Sequence, residues 1–182
     1  MLLLQERDAR TNLRNPNTWR PSLFLDHQFI NALTTNGIGY NYNAVRRWRR
    51  LKKTNIFELD KFTAIINISG NHWALLVAYV QLRTITCIDP KGSERPSYTC
   101  ALKNFFQDEE TNRLGSITTE WEIVPPPANF PQQGSDNNEC GMFVCKYCKL
   151  IAENLPLNFT ILDLSRMEIG MEIIHGVILI PQ

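Results

Sequence analysis

Three stretches of this 182-residue chain hold side chains able to do thiol chemistry. The first begins as a polar, glycine-containing loop, Gln132-Gln133-Gly134-Ser135-Asp136, and turns at Asn137-Asn138-Glu139 into an apolar run. In that run Phe143, Tyr147, Leu150 and Ile151 recur at helical spacing. Asn is a favoured helix cap, so the pattern predicts a helix over about 140–153 with Cys140 in its first turn. A thiol there feels the positive end of the helix dipole and unpaired backbone N–H groups, which favour the thiolate. Position alone does not make a nucleophile, because most cysteines are small buried hydrophobes. The second and third stretches change the weighing: Gly70-Asn71-His72-Trp73 and Cys87-Ile88-Asp89-Pro90.

A nucleophilic thiol needs a base, a group to orient the base, and donors for the oxyanion. His72 lies at a turn opening one strand-like run, and Asp89 ends another, 17 residues later. Pairing those strands as a hairpin brings the two open ends together. The imidazole then meets the carboxylate through one ring nitrogen and offers the other to Cys140. His27 and His175 fall in helical patterns and read as surface or packing residues. Gln132 and Gln133 are amide donors upstream of Cys140, and either, with the Cys140 backbone N–H, can hold an oxyanion.

The elements that must position these groups follow from the patterning. Residues 1–21 read as an irregular lead-in and roughly 22–34 as a first helix, carrying Phe24, Leu25, Phe29, Ile30 and Leu33 and closed by Gly37. Thr63–Ser69, Trp73–Val80 and Thr84–Asp89 are Ile-, Val-, Leu- and Thr-rich runs with short gaps, which predicts an antiparallel meander. An amphipathic helix from Ala101 to about Asn112 follows, then a strand over Thr118–Val124 stopped by Pro125-Pro126-Pro127. After the cysteine helix, Ile161 to Val177 reads as a last helix. Helix, meander, helix, strand, helix, helix describes a single α+β domain over 1–182.

With 43% apolar and 20% charged residues the composition is that of an ordinary soluble globular protein, and a net charge of +1 gives no global field toward nucleic acid or membrane. No apolar run reaches membrane-spanning length, and Met1-Leu2-Leu3-Leu4 is too short for a signal-peptide core. Five cysteines, three of them crowded into one helix, argue for free thiols in a reducing, intracellular compartment. Cys145 and Cys148 form a C-x-x-C pair, but Cys87 and Cys100 cannot complete a zinc site locally, and a redox pair belongs at a helix start. No metal or cofactor is expected. Residues 44–53 hold Arg46, Arg47, Arg49, Arg50, Lys52 and Lys53, with Val45, Trp48 and Leu51 inward. A solvated face or a dock for an acidic protein outranks nucleic acid here, and a nuclear import signal is a further reading.

His-Trp, an Asp 17 residues on, and Pro-Gln-Gln followed by an acidic residue, Cys and Gly together resemble the Ulp/sentrin-specific protease family. Ala44–Trp48, Ile56–Asp60, Gly141–Tyr147 and Leu155–Thr160 carry the likeness from about Leu23 to the last helix. The resemblance implies a papain-like fold and a cysteine peptidase that cleaves after the C-terminal Gly-Gly of SUMO, in precursors and conjugates, as a monomer in the nucleus and also the cytoplasm. It makes His72 the base, Asp89 its orienter, Cys140 the nucleophile and a Gln the oxyanion donor. Trp73 becomes part of the tunnel for the Gly-Gly tail. Asp26 becomes a partner for a basic SUMO residue, and the basic stretch around Arg46, Arg47 and Trp48 faces acidic SUMO surface. Relatives acting on other ubiquitin-like proteins such as NEDD8, or a binding module without activity, are the alternatives.

Three positions depart from the family pattern. The oxyanion Gln of the family stands six residues before Cys, whereas Gln133 is seven and Gln132 eight before Cys140; Gln133 is preferred. Glu139 stands where the family mostly has Asp. Leu23 stands where it has a second tunnel Trp.

Overall fold

A computed structural model of the protein describes residues 2–14, 20–117, 119–134 and 138–164. Its centre is a five-stranded sheet in the order β1 (Leu23–Leu25), β2 (Lys61–Ile68), β3 (His72–Tyr79), β4 (Thr84–Ile88) and β5 (Glu122–Ile123). β2, β3 and β4 form the antiparallel meander that the short gaps predict, and β1 and β5 add in parallel at the edges. Left-handed backbone at Ser69 (φ 53°) and Gly70 (φ 77°) reverses the chain between β2 and β3, so that His72 becomes the first residue of β3. In the register of β3 on β4, Leu75 faces Ile88, which brings the start of β3 against the chain leaving β4.

Both faces of the sheet are covered, which is why β3 is an almost unbroken apolar run. One face packs under α2 (His27–Leu33), α3 (Arg49–Lys53) and α4 (Pro96–Leu114), with Phe29, Leu51, Phe62, Leu102, Phe105 and Phe106 in its core. The other packs under α1 (Leu2–Arg14) and α5 (Cys140–Ala152), with Leu4, Phe24, Leu75, Val77, Phe143 and Tyr147. Alternation does the sorting, since Ala74, Leu76 and Ala78 join the first cluster while Leu75 and Val77 join the second.

Several sequence expectations are corrected. The lead-in over 1–21 is not irregular, because α1 occupies Leu2–Arg14. Its polar side chains bind distant backbone: Asp8 Oδ2 accepts the Ser22 N–H at 2.7 Å and Gln5 Oε1 that of Phe24 at 3.0 Å. Arg7 pairs with Glu153 at the end of α5. The first helix does not begin near 22. Leu23–Leu25 is a strand whose residues alternate between the two clusters, and Asp26 Oδ1 caps α2 by accepting the Gln28 N–H at 3.0 Å. α4 starts at Pro96 rather than Ala101, the proline standing where an N–H has no helical partner, and ends at Gly115 with φ 82°.

The strand expected over Thr118–Val124 contracts to Glu122–Ile123, with Thr118 outside the described residues. The basic stretch follows a 3-10 turn at Tyr42–Ala44 and ends in α3, with Val45 and Leu51 buried as expected. Of the helix expected over Ile161–Val177, a 3-10 turn at Ile161–Asp163 is seen, and residues 165–177 lie outside the described residues.

Phe62 is the hub of the larger cluster, fully buried with ring centroids 5.3–5.6 Å from those of Phe29, Phe105 and Phe106. Truncating it leaves a cavity that three rings cannot all close, so Phe62→Ala should lose about 3–5 kcal/mol in urea unfolding. A loss below about 1 kcal/mol would contradict this packing.

Candidate active site

The described residues bring His72 and Asp89 into direct contact. The register of β3 on β4 sets the two residues diagonally across the sheet end, and His72 Nε2 lies 2.7 Å from Asp89 Oδ1. Both are buried, the Asp89 side chain completely. A carboxylate only accepts, so the neutral imidazole carries its proton on Nε2 and keeps a lone pair on Nδ1. That Nδ1 is buried and has no hydrogen-bond partner among the described residues.

Cys140 is the first residue of α5 and is 5% exposed. The expected Asn cap is not used: the residue before Cys140, Glu139, takes the N-cap place without a side-chain capping bond. The thirteen-residue helix therefore presents its positive end at the thiol. A Cβ built on the next residue, Gly141, would lie 3.7 Å from Trp73 Cδ1, so the first turn of α5 stands against the residue that follows His72. Cys140 and His72 do not hydrogen-bond here, since Nδ1 has no described partner. Catalytic hydrogen bonds commonly tighten when substrate fills the site.

The loop before Cys140 is tied to the loop after Asp89. The Gln133 N–H donates to Pro90 O at 2.8 Å, and the Tyr147 hydroxyl on α5 donates to Pro131 O. Gly92 has φ 68°, and a Cβ there would stand 2.8 Å from Gln132 Oε1. The left-handed backbone favours glycine there, while the exposed Gln132 amide can swing aside from a Cβ. Gln133 is buried and Gln132 exposed. A buried amide suits oxyanion stabilisation better than one lying in solvent.

The remaining expected residues divide. Trp73 is half-buried, and its ring meets His27 edge-on at 5.6 Å. Leu23 is buried in the α2–α4 cluster and offers no wall beside Trp73. Sequence reasoning set His27 aside, and its one signal was adjacency to Asp26. Asp26 is exposed and caps α2; Arg46 is half-buried and Arg47 exposed. Trp48 is committed to the fold, its ring edge-on to Phe29 at 5.8 Å and its Nε1–H donating to Ala44 O.

The other thiols are held apart from this chemistry. Burial, aided by Asp89 and opposed by Arg95, pushes Cys87 up to about 12, and burial likewise pushes Cys148 up. Cys100 and Cys145 are exposed. The arrangement can deprotonate a thiol, direct it at a carbonyl carbon and stabilise the oxyanion.

A family model described as the Ulp1 protease family, C-terminal catalytic domain, matches residues 2–173. The chain is 31% identical over 165 residues to ubiquitin-like-specific protease 1A of Arabidopsis thaliana, covering 88% of this chain and 31% of that protein. It is 29% identical over 167 residues to sentrin-specific protease 2 of Homo sapiens, covering 89% and 27%. It thus spans under a third of the length of these curated relatives. Among solved structures, the C-terminal Ulp1 protease domain in complex with Smt3, the yeast ortholog of SUMO, superposes with a TM-score of 0.67 at 25% identity, covering 91% of this chain and 70% of that one. The Chaetomium thermophilum Ulp1-like SUMO protease catalytic domain superposes with a TM-score of 0.74 at 20% identity, covering 96% and 70%, a likeness of fold. The papain-like fold expected from the sequence is therefore the fold of this chain.

In iodoacetamide labelling near pH 7.5 read by mass spectrometry, Cys87 and Cys148 should stay unmodified, because their raised values hold them as thiols. Cys87 should begin to label as the pH approaches about 12. Labelling of Cys87 at neutral pH in the folded protein would contradict its burial.

Proposed function

The chain belongs to the Ulp1 protease family, and on that footing we propose that it is a thiol peptidase and isopeptidase that cleaves after the C-terminal Gly-Gly of SUMO. The observation that carries the reading is the buried His72 Nε2 to Asp89 Oδ1 contact at 2.7 Å, with Nδ1 left over at the sheet end where α5 begins. The Smt3 complex of a structural relative supports the choice of SUMO.

His72 takes the Cys140 proton on Nδ1, and the Sγ attacks the carbonyl carbon of the terminal glycine. Gln133 and the Cys140 N–H stabilise the oxyanion. Collapse breaks the C–N bond, the amine leaves with the proton from His72, and a thioester to Cys140 remains. Water, giving a proton to His72, attacks the thioester and releases the glycine carboxylate and the thiol. Asp89 holds the ring through every proton transfer.

Trp73, steadied by the His27 edge, forms one wall of a narrow channel for the glycine tail, and glycine is the residue such a channel admits. Asp26 meets a basic residue of SUMO, and Arg46 and Arg47 meet acidic ones, with Trp48 contributing its exposed edge. The active unit is a monomer that works in the nucleus and the cytoplasm, without metal or cofactor. Neither nucleic acid nor membrane is a partner.

A SUMO probe bearing a C-terminal electrophile should label Cys140, and a NEDD8 probe should not. Preferential labelling by NEDD8 would reassign the substrate, and labelling by neither would leave a binding module. Cys140→Ser should lower turnover of a SUMO fusion by about 10³-fold or more while retaining binding. Asp89→Asn should lower it by about 10²-fold or more. A serine variant cleaving at the parental rate would overturn the mechanism.

A further inference from the structure

Asp89 has more partners than an imidazole orienter requires. Oδ1 accepts from His72 Nε2 at 2.7 Å and from the Lys91 N–H at 2.8 Å. Oδ2 accepts from Arg95 Nε at 2.7 Å, and Arg95 Nη2 lies 2.7 Å from the same oxygen. The carboxylate is thus surrounded by donors while its side chain is wholly shielded from solvent. The Arg95 side chain, 25% exposed, comes from a different direction: it lines a cavity of about 380 Å³ behind Asp89, walled also by Cys87, Thr99, Val124 and Phe130. Its own backbone is fixed as well, because the Arg95 carbonyl accepts the Tyr98 and Thr99 N–H groups at the start of α4.

We propose that Arg95 is a positioning residue for catalysis, its Nε and Nη2 gripping Oδ2 and holding Asp89 in one orientation so that Oδ1 faces His72. The inference rests on the peptidase reading above. A buried carboxylate whose only cationic partner is an imidazole loses that partner whenever the imidazole is neutral. It is then free to turn toward water, which releases the ring. During turnover His72 gains and gives up a proton twice, so its charge cannot be the permanent compensation for Asp89. Arg95 stays charged throughout, and its Nε and Nη2 hold Oδ2 from one edge of the guanidinium. Since Arg95 reaches Asp89 through Oδ2, its removal leaves the surfaces around Trp73 and α5 in place.

The test is steady-state cleavage of a fluorogenic SUMO fusion by purified variants, with thermal midpoints measured alongside. Arg95→Ala should lower kcat on the order of tenfold or more with KM changed by less than about twofold. Arg95→Lys should recover part of the loss, because an ammonium restores charge without the Nε and Nη2 pair. The decisive comparison uses Asp89→Asn as the background. There the clamp has lost its charged partner, so Asp89→Asn/Arg95→Ala should turn over within about twofold of Asp89→Asn alone. A structural role for Arg95 would instead multiply the two losses, and that result would overturn the proposal. Unchanged kcat in Arg95→Ala would overturn it too, and leave the peptidase reading intact provided Cys140→Ser is inactive. An active Cys140→Ser would sink both. If Arg95→Ala fails to fold, Arg95→Lys and Arg95→Gln in the two backgrounds give the same comparison.

Discussion

A fully buried carboxylate is the constraint on which the site depends. Taking Asp89 out of water costs several kcal/mol unless its lone pairs and its charge are answered inside the protein. His72, Arg95 and the Lys91 N–H answer them. Each of these donors needs a particular backbone path. The meander sets His72 opposite the end of β4, and the turn through Gly92 aims the Lys91 N–H back at Oδ1. The start of α4 brings Arg95 round to Oδ2.

The same loop reaches the helix that begins at Cys140. Gln133 hangs from Pro90, one residue past Asp89, and Tyr147 ties Pro131 to the middle of α5. The carboxylate, the amide and the helix that begins at Cys140 are therefore linked by short hydrogen-bonded segments. α5 is itself fixed by Phe143 and Tyr147 against Leu75 and Val77 of β3, the strand that begins at His72. Cys140 and His72 thus ride on two elements packed on each other. This is the precision that positioned catalysis requires, and it is built on a helix and strands rather than on loops alone.

Much of this was legible in the sequence because the signals were local. Periodicity gave the meander and the cysteine helix, and the placement of His72 and Asp89 at strand ends gave their meeting. What was not legible depends on partners far along the chain. α1 looks like polar lead-in until Ser22, Phe24 and Glu153 are seen to receive Asp8, Gln5 and Arg7. Phe24 and Leu25 read as helix because they fall into spacing with Phe29, Ile30 and Leu33, and only pairing with β2 makes Leu23–Leu25 a strand. Arg95 sits among Lys91, Ser93 and Glu94 and reads as a solvated loop cation. Nothing in its neighbours says that the loop folds back onto a buried acid. His27 was passed over for a related reason, since its contact is with Trp73 across the fold.

The central claim concerns where one proton resides. With the chain labelled in its histidines with nitrogen-15, the ring nitrogens of His72 can be assigned by NMR at a pH where the ring is neutral. The account predicts the proton on Nε2, held by Asp89, and a bare Nδ1, with the Nε2–H signal altered in Asp89→Asn. A neutral ring protonated on Nδ1, or one whose signals ignore that substitution, would contradict it.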